Sequence, residues 1–131
     1  MKVVTDTSIL LAVALEEPER DAIIKLTQET QLIAPEVLPF EVGNALSSLF
    51  RRNLLDEERV LQVWEYIQRI PIDLRTVDIQ DALQIATRNR IYAYDAYFLS
   101  CASTLRVPLM SLDRKMISVA RQSGIKVLEV T

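Results

Sequence analysis

The chain has 131 residues, half of them hydrophobic and only two of them glycine, which predicts a well-packed globular protein and excludes a disordered one. Its formal net charge of −3 excludes a general basic surface for nucleic acid, so any nucleic-acid site has to be local. The absence of histidine removes the usual general base and the commonest zinc ligand, and the single cysteine excludes an internal disulfide.

Short β-rich runs alternate with amphipathic runs along the whole chain. The pattern predicts strands at 2–5, 31–34, 71–74, 107–112 and 126–130. It predicts helices at 8–17, 18–29, 35–52, 56–70, 78–89, 94–105 and 114–123, with Asp56 as an N-cap and Gly124 as a left-handed C-terminal cap. Because strands separated by helices need crossover connections, the expected fold is α/β. We expect a single domain over residues 1–131, with three α/β/α layers and a mainly parallel sheet of about five strands.

The start of the chain and its hydropathy predict where the protein resides. The acid-bearing segment VVTDTS begins at residue 3, so we expect no signal peptide. No apolar run approaches the length of a membrane span. Together with the lone Cys101, these features predict a cytoplasmic protein with no membrane partner.

Two acidic residues directly follow predicted strands. Asp6 comes after the first strand and Asp113 after the fourth. In open parallel sheets, functional sites form beyond the carboxyl ends of the strands, which makes both residues candidates. Either residue is equally well placed to be a helix N-cap, so the position alone does not decide between the two roles.

Two further acids lie on apolar helix faces. The residues three and four positions from Glu41 and from Asp95 are mostly apolar, and neither acid has a Lys or Arg one turn away. A carboxylate in such a place is costly unless it is paired. Protonation or a distant Arg would neutralise it, and so would a cation shared by several acids. Oxygen ligands without His or Cys select Mg²⁺ or Mn²⁺ over zinc.

These four acids lie in four segments, VTDTSIL, APEVLPFEVGNAL, YAYDAYFLSCA and VPLMSLDRKM. In this order and at these separations, the segments resemble the motifs of PIN domains, and within that superfamily those of the VapC toxins of toxin–antitoxin pairs. The resemblance runs nearly from end to end. It departs from the family at Ser111, where Thr is frequent, and at the aromatic RIYAY approach to Asp95, where Gly or Ser is usual.

The resemblance implies a metal-dependent ribonuclease that cuts single-stranded or looped RNA. One or two Mg²⁺ (or Mn²⁺) ions would activate water and offset phosphate charge, which explains how hydrolysis proceeds without histidine. The implied catalytic and metal-binding set is Asp6, Glu41, Asp95 and Asp113, with Asp6 and Asp95 as direct ligands. The side chains that would orient carboxylates and waters are Ser8, Asn44 and Ser111, unless they serve only as caps or surface groups.

The same resemblance implies partners. The candidates for contacts with RNA phosphates, near the ligands in sequence, are Arg88, Arg90, Arg114 and Lys115. Tyr92, Tyr94 and Tyr97 would stack on bases, or else pack in the core or in a dimer. Similar proteins form homodimers and are inhibited by a cognate antitoxin. The apolar stripe at 60–67, with Trp64 and Tyr66, would serve such a partner or the core.

Three other functions remain open. A PIN fold could act as a catalytically idle binding module, which a metal-dependent RNA cleavage assay would distinguish. A phosphoacceptor receiver-like domain needs paired acids after the first strand, whereas VVTDTS offers only Asp6. A structure-specific DNA nuclease needs an added arch and basic elements, which a chain of this length lacks.

Overall fold

A parallel sheet of four strands forms the centre of the protein, which a computed structural model describes over residues 1–131. The strands are β1 (Lys2–Thr5), β2 (Gln31–Pro35), β3 (Ile72–Arg75) and β4 (Leu109–Met110). They lie in the order β3-β2-β1-β4, and every neighbouring pair is parallel. The predicted three-layer α/β/α fold with a parallel sheet is therefore confirmed.

Seven helices cover the sheet. They are α1 (Thr7–Ala14), α2 (Arg20–Thr27), α3 (Leu38–Arg51), α4 (Glu57–Gln68), α5 (Ile79–Asn89), α6 (Ala93–Leu105) and α7 (Arg114–Gln122). Asp56 caps α4 through the Arg59 amide, and Gly124 adopts a φ of 75° after α7, as the sequence predicts. None of the helices has both the length and the apolar character that crossing a bilayer requires.

The predicted fifth strand is wrong. Residues 126–130 contribute only one parallel bridge, between Val127 and Leu109. The physical reason is the shortness of β4, which has two residues instead of the predicted six. The chain leaves the sheet at Ser111 and begins α7 after Asp113, so little strand is left for residues 126–130 to pair with.

Side chains alternate between the two faces of the sheet and build a core on each. Val4, Ile33 and Leu109 point into the larger core, which holds 19 buried residues and includes Phe98 and Leu99 of α6. The neighbouring residues Val3, Leu32 and Met110 belong to the smaller core, with side chains of α1 and α2. This alternation is the normal pleat of a strand, and burial on both faces is typical of parallel sheets.

Strand register brings distant segments together at the carboxyl edge of the sheet. Thr5 of β1 pairs with Met110 of β4, so Asp6 and Ser111 leave the sheet side by side. On the other side of β1, β2 ends at Pro35 and leads into α3, whose first turn holds Glu41. The edge predicted to hold the site is thus formed by three separate parts of the chain.

Candidate active site

Of the acids at this edge, Asp6 accepts the most hydrogen bonds. It is 3% exposed and caps α1, since its Oδ1 accepts hydrogen bonds from the Ile9 amide at 3.2 Å and from Ser8 Oγ at 2.6 Å. Its Oδ2 accepts a hydrogen bond from Ser111 Oγ at 2.5 Å. Burial raises the pKa of Asp6, while the hydrogen bonds from Ser111 and Ser8 oppose that rise.

The two serines also bind the backbone that follows β4. Ser8 Oγ accepts a hydrogen bond from the Leu112 amide at 3.0 Å, and Ser111 Oγ accepts one from the Asp113 amide at 3.0 Å. Each hydroxyl therefore connects Asp6 to the turn that begins α7. The structure thus shows both hydroxyls bonded to Asp6, and their role in orienting a metal ligand stays a prediction.

Glu41 is held by a residue that the sequence analysis did not single out. Thr7 Oγ1 donates a hydrogen bond to Glu41 Oε1 at 2.8 Å, and Thr7 is 6% exposed. The other oxygen, Oε2, is buried and has no hydrogen-bond partner. Burial raises the pKa of Glu41, and the charges of Asp6 and Asp95 raise it further, against the Thr7 hydrogen bond.

Asp95 lies half-buried in the first turn of α6. None of the four ion pairs of the protein includes it. Burial raises the pKa of Asp95, the charge of Asp113 adds to the rise, and Lys115 opposes it from beyond ion-pair distance. The alternative in which a buried Arg neutralises Asp95 therefore finds no support in the structure.

Asp113 is exposed and caps α7, accepting hydrogen bonds on Oδ1 from the amides of Lys115 and Met116. The two roles left open for Asp6 and Asp113 are thus not exclusive. Each aspartate is a helix cap, and each also acts electrostatically on the other acids of this edge.

Electrostatic repulsion adds to the effect of burial among the four acids of this edge, Asp6, Glu41, Asp95 and Asp113, which are called the edge acids below. Asp113 raises the pKa of both Asp6 and Asp95, in each case less than burial does. Asp6 and Asp95 in turn raise the pKa of Glu41, again less than burial does. Such mutual repulsion between partly buried carboxylates is unfavourable unless something positive offsets it.

The edge acids offer only oxygen atoms as metal ligands, which suits a hard divalent cation such as Mg²⁺ or Mn²⁺. The unpartnered Glu41 Oε2 is a donor that a cation would satisfy. No three acidic or other ligand side chains lie close enough together to form a metal-ligand group. The chemistry and burial of the acids therefore fit a cation, while their spacing is wider than a complete ligand set.

The remaining predicted residues differ in their placement. Asn44 lies exposed on α3, and the only hydrogen bond it makes outside the backbone is accepted by its carbonyl from Ser47, so its orienting role stays a prediction. The four basic candidates are exposed and take part in no ion pair: Arg88, Arg90, Arg114 and Lys115. Tyr92 is 84% and Tyr94 57% exposed, so they are not core residues.

The apolar stripe at 60–67 divides between core and surface. Val63 and Ile67 are buried, whereas Leu61 and Tyr66 are 59% and 42% exposed. Trp64 is partly buried and packs against the larger core. The stripe thus anchors α4 and leaves two large side chains free for a partner.

Thr7 shows what the sequence analysis missed. Its contact with Glu41 joins residues 34 positions apart and depends on how α1 and α3 pack. The only signal in the sequence was a hydroxyl directly after Asp6. That signal is weak, because Thr is also common near helix starts.

Residues 3–122 match the family model of the PIN domain. The chain belongs to the PIN-domain family. This match confirms the resemblance inferred from the four acid-bearing segments. Ribonuclease VapC3 from Pyrobaculum aerophilum is 27% identical to this PIN domain over 121 residues, which cover 88% of this chain and 92% of that protein.

Solved structures show the same fold at lower identity. The structure of PAE2754 from Pyrobaculum aerophilum has a TM-score of 0.71 and 20% identity, and the match covers 91% of this chain and 79% of that chain. The structure of VapBC2 from Rickettsia felis, bound to a DNA fragment from their promoter, has a TM-score of 0.70 and 12% identity, with 98% of both chains covered. FitAcB from Neisseria gonorrhoeae has a TM-score of 0.60 and 13% identity, covering 97% of this chain and 96% of that chain.

Proposed function

We propose that this PIN domain is a divalent-metal-dependent endoribonuclease and the toxin of a toxin–antitoxin pair. The observation that carries the proposal is Glu41 Oε2, a buried carboxylate oxygen without a hydrogen-bond partner, near the buried Asp6 and the acids Asp95 and Asp113. Membership of the PIN family supports a nuclease, and the relative named ribonuclease VapC3 supports RNA as the substrate.

Asp6, Glu41, Asp95 and Asp113 would hold the Mg²⁺ or Mn²⁺. Bound there, one or two ions would supply an activated water and offset the negative charge that develops on the phosphate and the leaving oxygen. This chemistry needs no histidine, and the chain contains none.

The chain's own contacts prepare these carboxylates. Ser8 and Ser111 each bind one oxygen of Asp6, which fixes the plane of its carboxylate. Thr7 binds Oε1 of Glu41 and so leaves Oε2 free for a cation. Arg114 and Lys115 follow Asp113 directly and are exposed, so they are placed to hold phosphates of the RNA strand near the acids.

An antitoxin and a second copy of the chain are the proposed protein partners. The similarity to VapBC2 and to VapC toxins supports the antitoxin, which would cover the acidic edge and keep the enzyme inactive. Leu61 and Tyr66 on α4 are exposed apolar side chains that such partners can bury.

RNA cleavage by the purified protein tests the proposal. A pool of labelled RNAs would be incubated with Mg²⁺, with Mn²⁺ or with EDTA, and the cut ends mapped. We expect cleavage with either metal, none with EDTA, and none by Asp95→Asn. Asp56→Asn is the matched control, because Asp56 is an exposed helix cap at the start of α4 and is not one of the edge acids.

Two results would contradict the proposal. Cleavage that persists in EDTA or in Asp95→Asn would mean that the edge acids do not form a metal-dependent active site. A folded wild-type protein that cuts no RNA with either metal would favour the catalytically idle binding module.

A further inference from the structure

The connection between α5 and α6 contains a backbone conformation that its sequence does not favour. Arg90 ends α5 with a φ of 52° and a ψ of 47°, in the left-handed region. This conformation is strained for residues with a side chain, and glycine is the usual residue at such helix ends. Arg106 ends α6 in the same conformation, so this feature fixes the path of the connection and does not by itself assign a role to the Arg90 side chain.

The connection is held in a fixed place beside Asp95. Ala82 and Ala86 of α5 pack against Ala96 of α6, and these small buried side chains let the two helices approach closely. The Ile91 amide donates a hydrogen bond to the Ala86 carbonyl at 3.1 Å and closes the turn. Tyr92 then lies directly before α6, three residues ahead of Asp95 and at the same end of the helix.

Tyr92, in the connection, and Tyr94, in the first turn of α6, expose their rings. Tyr92 is 84% exposed, the most exposed large hydrophobic side chain of the protein. Tyr94 is 57% exposed and meets Tyr97 edge-on, with ring centroids 5.9 Å apart and planes at 84°. Neither tyrosine side chain is fully buried in the core, so aromatic surface is available within one helical turn of Asp95.

Two arginines accompany these rings. Arg88 lies in the last turn of α5 and Arg90 begins the connection, and no acidic residue lies between Asp81 and Asp95. Arg88 and Arg90 are exposed and take part in no ion pair. Unpaired arginines interleaved with exposed aromatic rings are the combination that binds single-stranded nucleic acid through phosphates and base stacking.

We infer that residues 90–94 form a docking arm for one unpaired RNA nucleotide, with a base stacked on Tyr92 and a phosphate bound by Arg90. The inference rests on the proposed function, since it names how that enzyme would select unpaired RNA over a duplex. A base within a duplex has its faces covered by neighbouring bases, so it cannot stack on Tyr92. Stacking accepts every base, so the arm gives preference for strand state and not for sequence.

A first pair of variants tests the tyrosine. Tyr92→Ala should weaken binding of a labelled single-stranded RNA by roughly tenfold to a hundredfold, while Tyr92→Phe keeps a stacking ring and should bind like wild type. Binding would be measured by fluorescence anisotropy in EDTA, and KM and kcat would be measured in Mg²⁺. The loss should fall on KM and not on kcat. Phe50→Ala is the control for removing an exposed aromatic ring elsewhere, because Phe50 is 49% exposed near the far end of α3.

A second pair tests the arginine against backbone strain. Arg106 ends α6 with a φ of 56° and is exposed, at the other end of the helix that begins beside Tyr92. Arg90→Gly and Arg106→Gly should therefore shift the melting temperature in the same direction. Only Arg90→Gly should weaken RNA binding, and it should reduce the slope of log affinity against log salt by about 0.7, the value for one phosphate contact on a single strand.

The outcomes separate this inference from the proposed function. If wild type neither binds nor cuts RNA, the proposed function fails and the inference fails with it. If wild type cuts RNA while Tyr92→Ala and Tyr92→Phe behave alike, only the docking arm is wrong. If Tyr92→Ala leaves RNA binding intact but changes the oligomeric mass in solution, the arm is a protein interface and the inference is overturned.

Discussion

The amino ends of α1 and α4 show the same local motif in two different settings. Asp6 and Asp56 each precede a helix in extended conformation, and each accepts a hydrogen bond from the amide three residues later. Asp56 is exposed, and its carboxylate forms no other hydrogen bond and no ion pair. Asp6 is 3% exposed and also accepts a hydrogen bond from Ser111, 105 residues away. Between these two caps, burial and the hydrogen bond from Ser111 distinguish the candidate catalytic acid from the structural one.

Identical substitutions at Asp6 and Asp56 should have the most different effects on activity. Asparagine caps helices about as well as aspartate, so Asp6→Asn and Asp56→Asn should both fold. Asp6→Asn should lower kcat/KM for RNA by about a thousandfold or more, as expected for a residue within one catalytic unit. Asp56→Asn should leave kcat/KM unchanged. Equal effects in the cleavage assay would mean that Asp6 is only a cap.

Ser111 tests whether the long-range contact of Asp6 matters. Ser111→Ala removes hydrogen bonds to Asp6 and to the Asp113 amide, and it should lower kcat/KM by about tenfold to a hundredfold. Ser111→Thr keeps the hydroxyl and should retain most of the activity. If the two variants lose activity equally in steady-state assays, the hydroxyl does not position Asp6.

Thr7 tests whether a long-range hydrogen bond also positions the neighbouring acid, Glu41. Thr7→Val keeps the shape of the side chain but removes the hydrogen bond to Glu41, and we expect roughly tenfold weaker Mn²⁺ binding in a calorimetric titration. Thr7→Ser keeps the bond and is the control. Unchanged Mn²⁺ affinity in Thr7→Val would show that Glu41 needs no orientation by Thr7.

Asp56 should affect only stability. Asp56→Ala leaves the Arg59 amide without its cap, and urea denaturation should show a loss of about 1 kcal/mol in the free energy of unfolding. Its kcat/KM should equal that of wild type. A cleavage defect in this variant would contradict the division between structural and catalytic caps.

The sequence predicted the elements well where the local signal was complete. Periodicity and caps located all seven helices and the first three strands to within a few residues, and Gly124 and Asp56 ended or began helices as expected. The fifth strand failed because pairing is not a local property. Residues 126–130 are rich in β-forming residues, but β4 offers only two residues to pair with.

The candidate site also depends on long-range contacts that the local sequence does not reveal. Asp95 and Glu41 attracted notice because a carboxylate on an apolar helix face conflicts with its surroundings. The hydroxyls of Ser8 and Ser111 were predicted only from the family resemblance, and Thr7 was not predicted at all. Thr7, Ser8 and Ser111 form hydrogen bonds across 34, 104 and 105 positions, which depend on packing at the sheet edge and which no local pattern encodes.

The thermal stability of Asp95→Asn, with and without Mg²⁺, shows whether the acids form a cation site. Because burial and the charge of Asp113 raise the pKa of Asp95, the folded protein binds protons more tightly than the unfolded chain. Wild type in EDTA should therefore lose stability as pH rises from the ordinary value of 3.8 through the raised pKa. Asp95→Asn removes this repulsion, so at neutral pH it should melt a few degrees above wild type, and the difference should vanish in acid.

Mg²⁺ should raise the melting temperature of wild type, because the ion binds only the folded state, and should raise that of Asp95→Asn much less. Melting curves of both proteins, in EDTA and in Mg²⁺, give all of these values in one experiment. The cation site predicts a variant that is more stable than wild type in EDTA and insensitive to Mg²⁺. A variant less stable than wild type in EDTA, together with a wild type that does not respond to Mg²⁺, would contradict it.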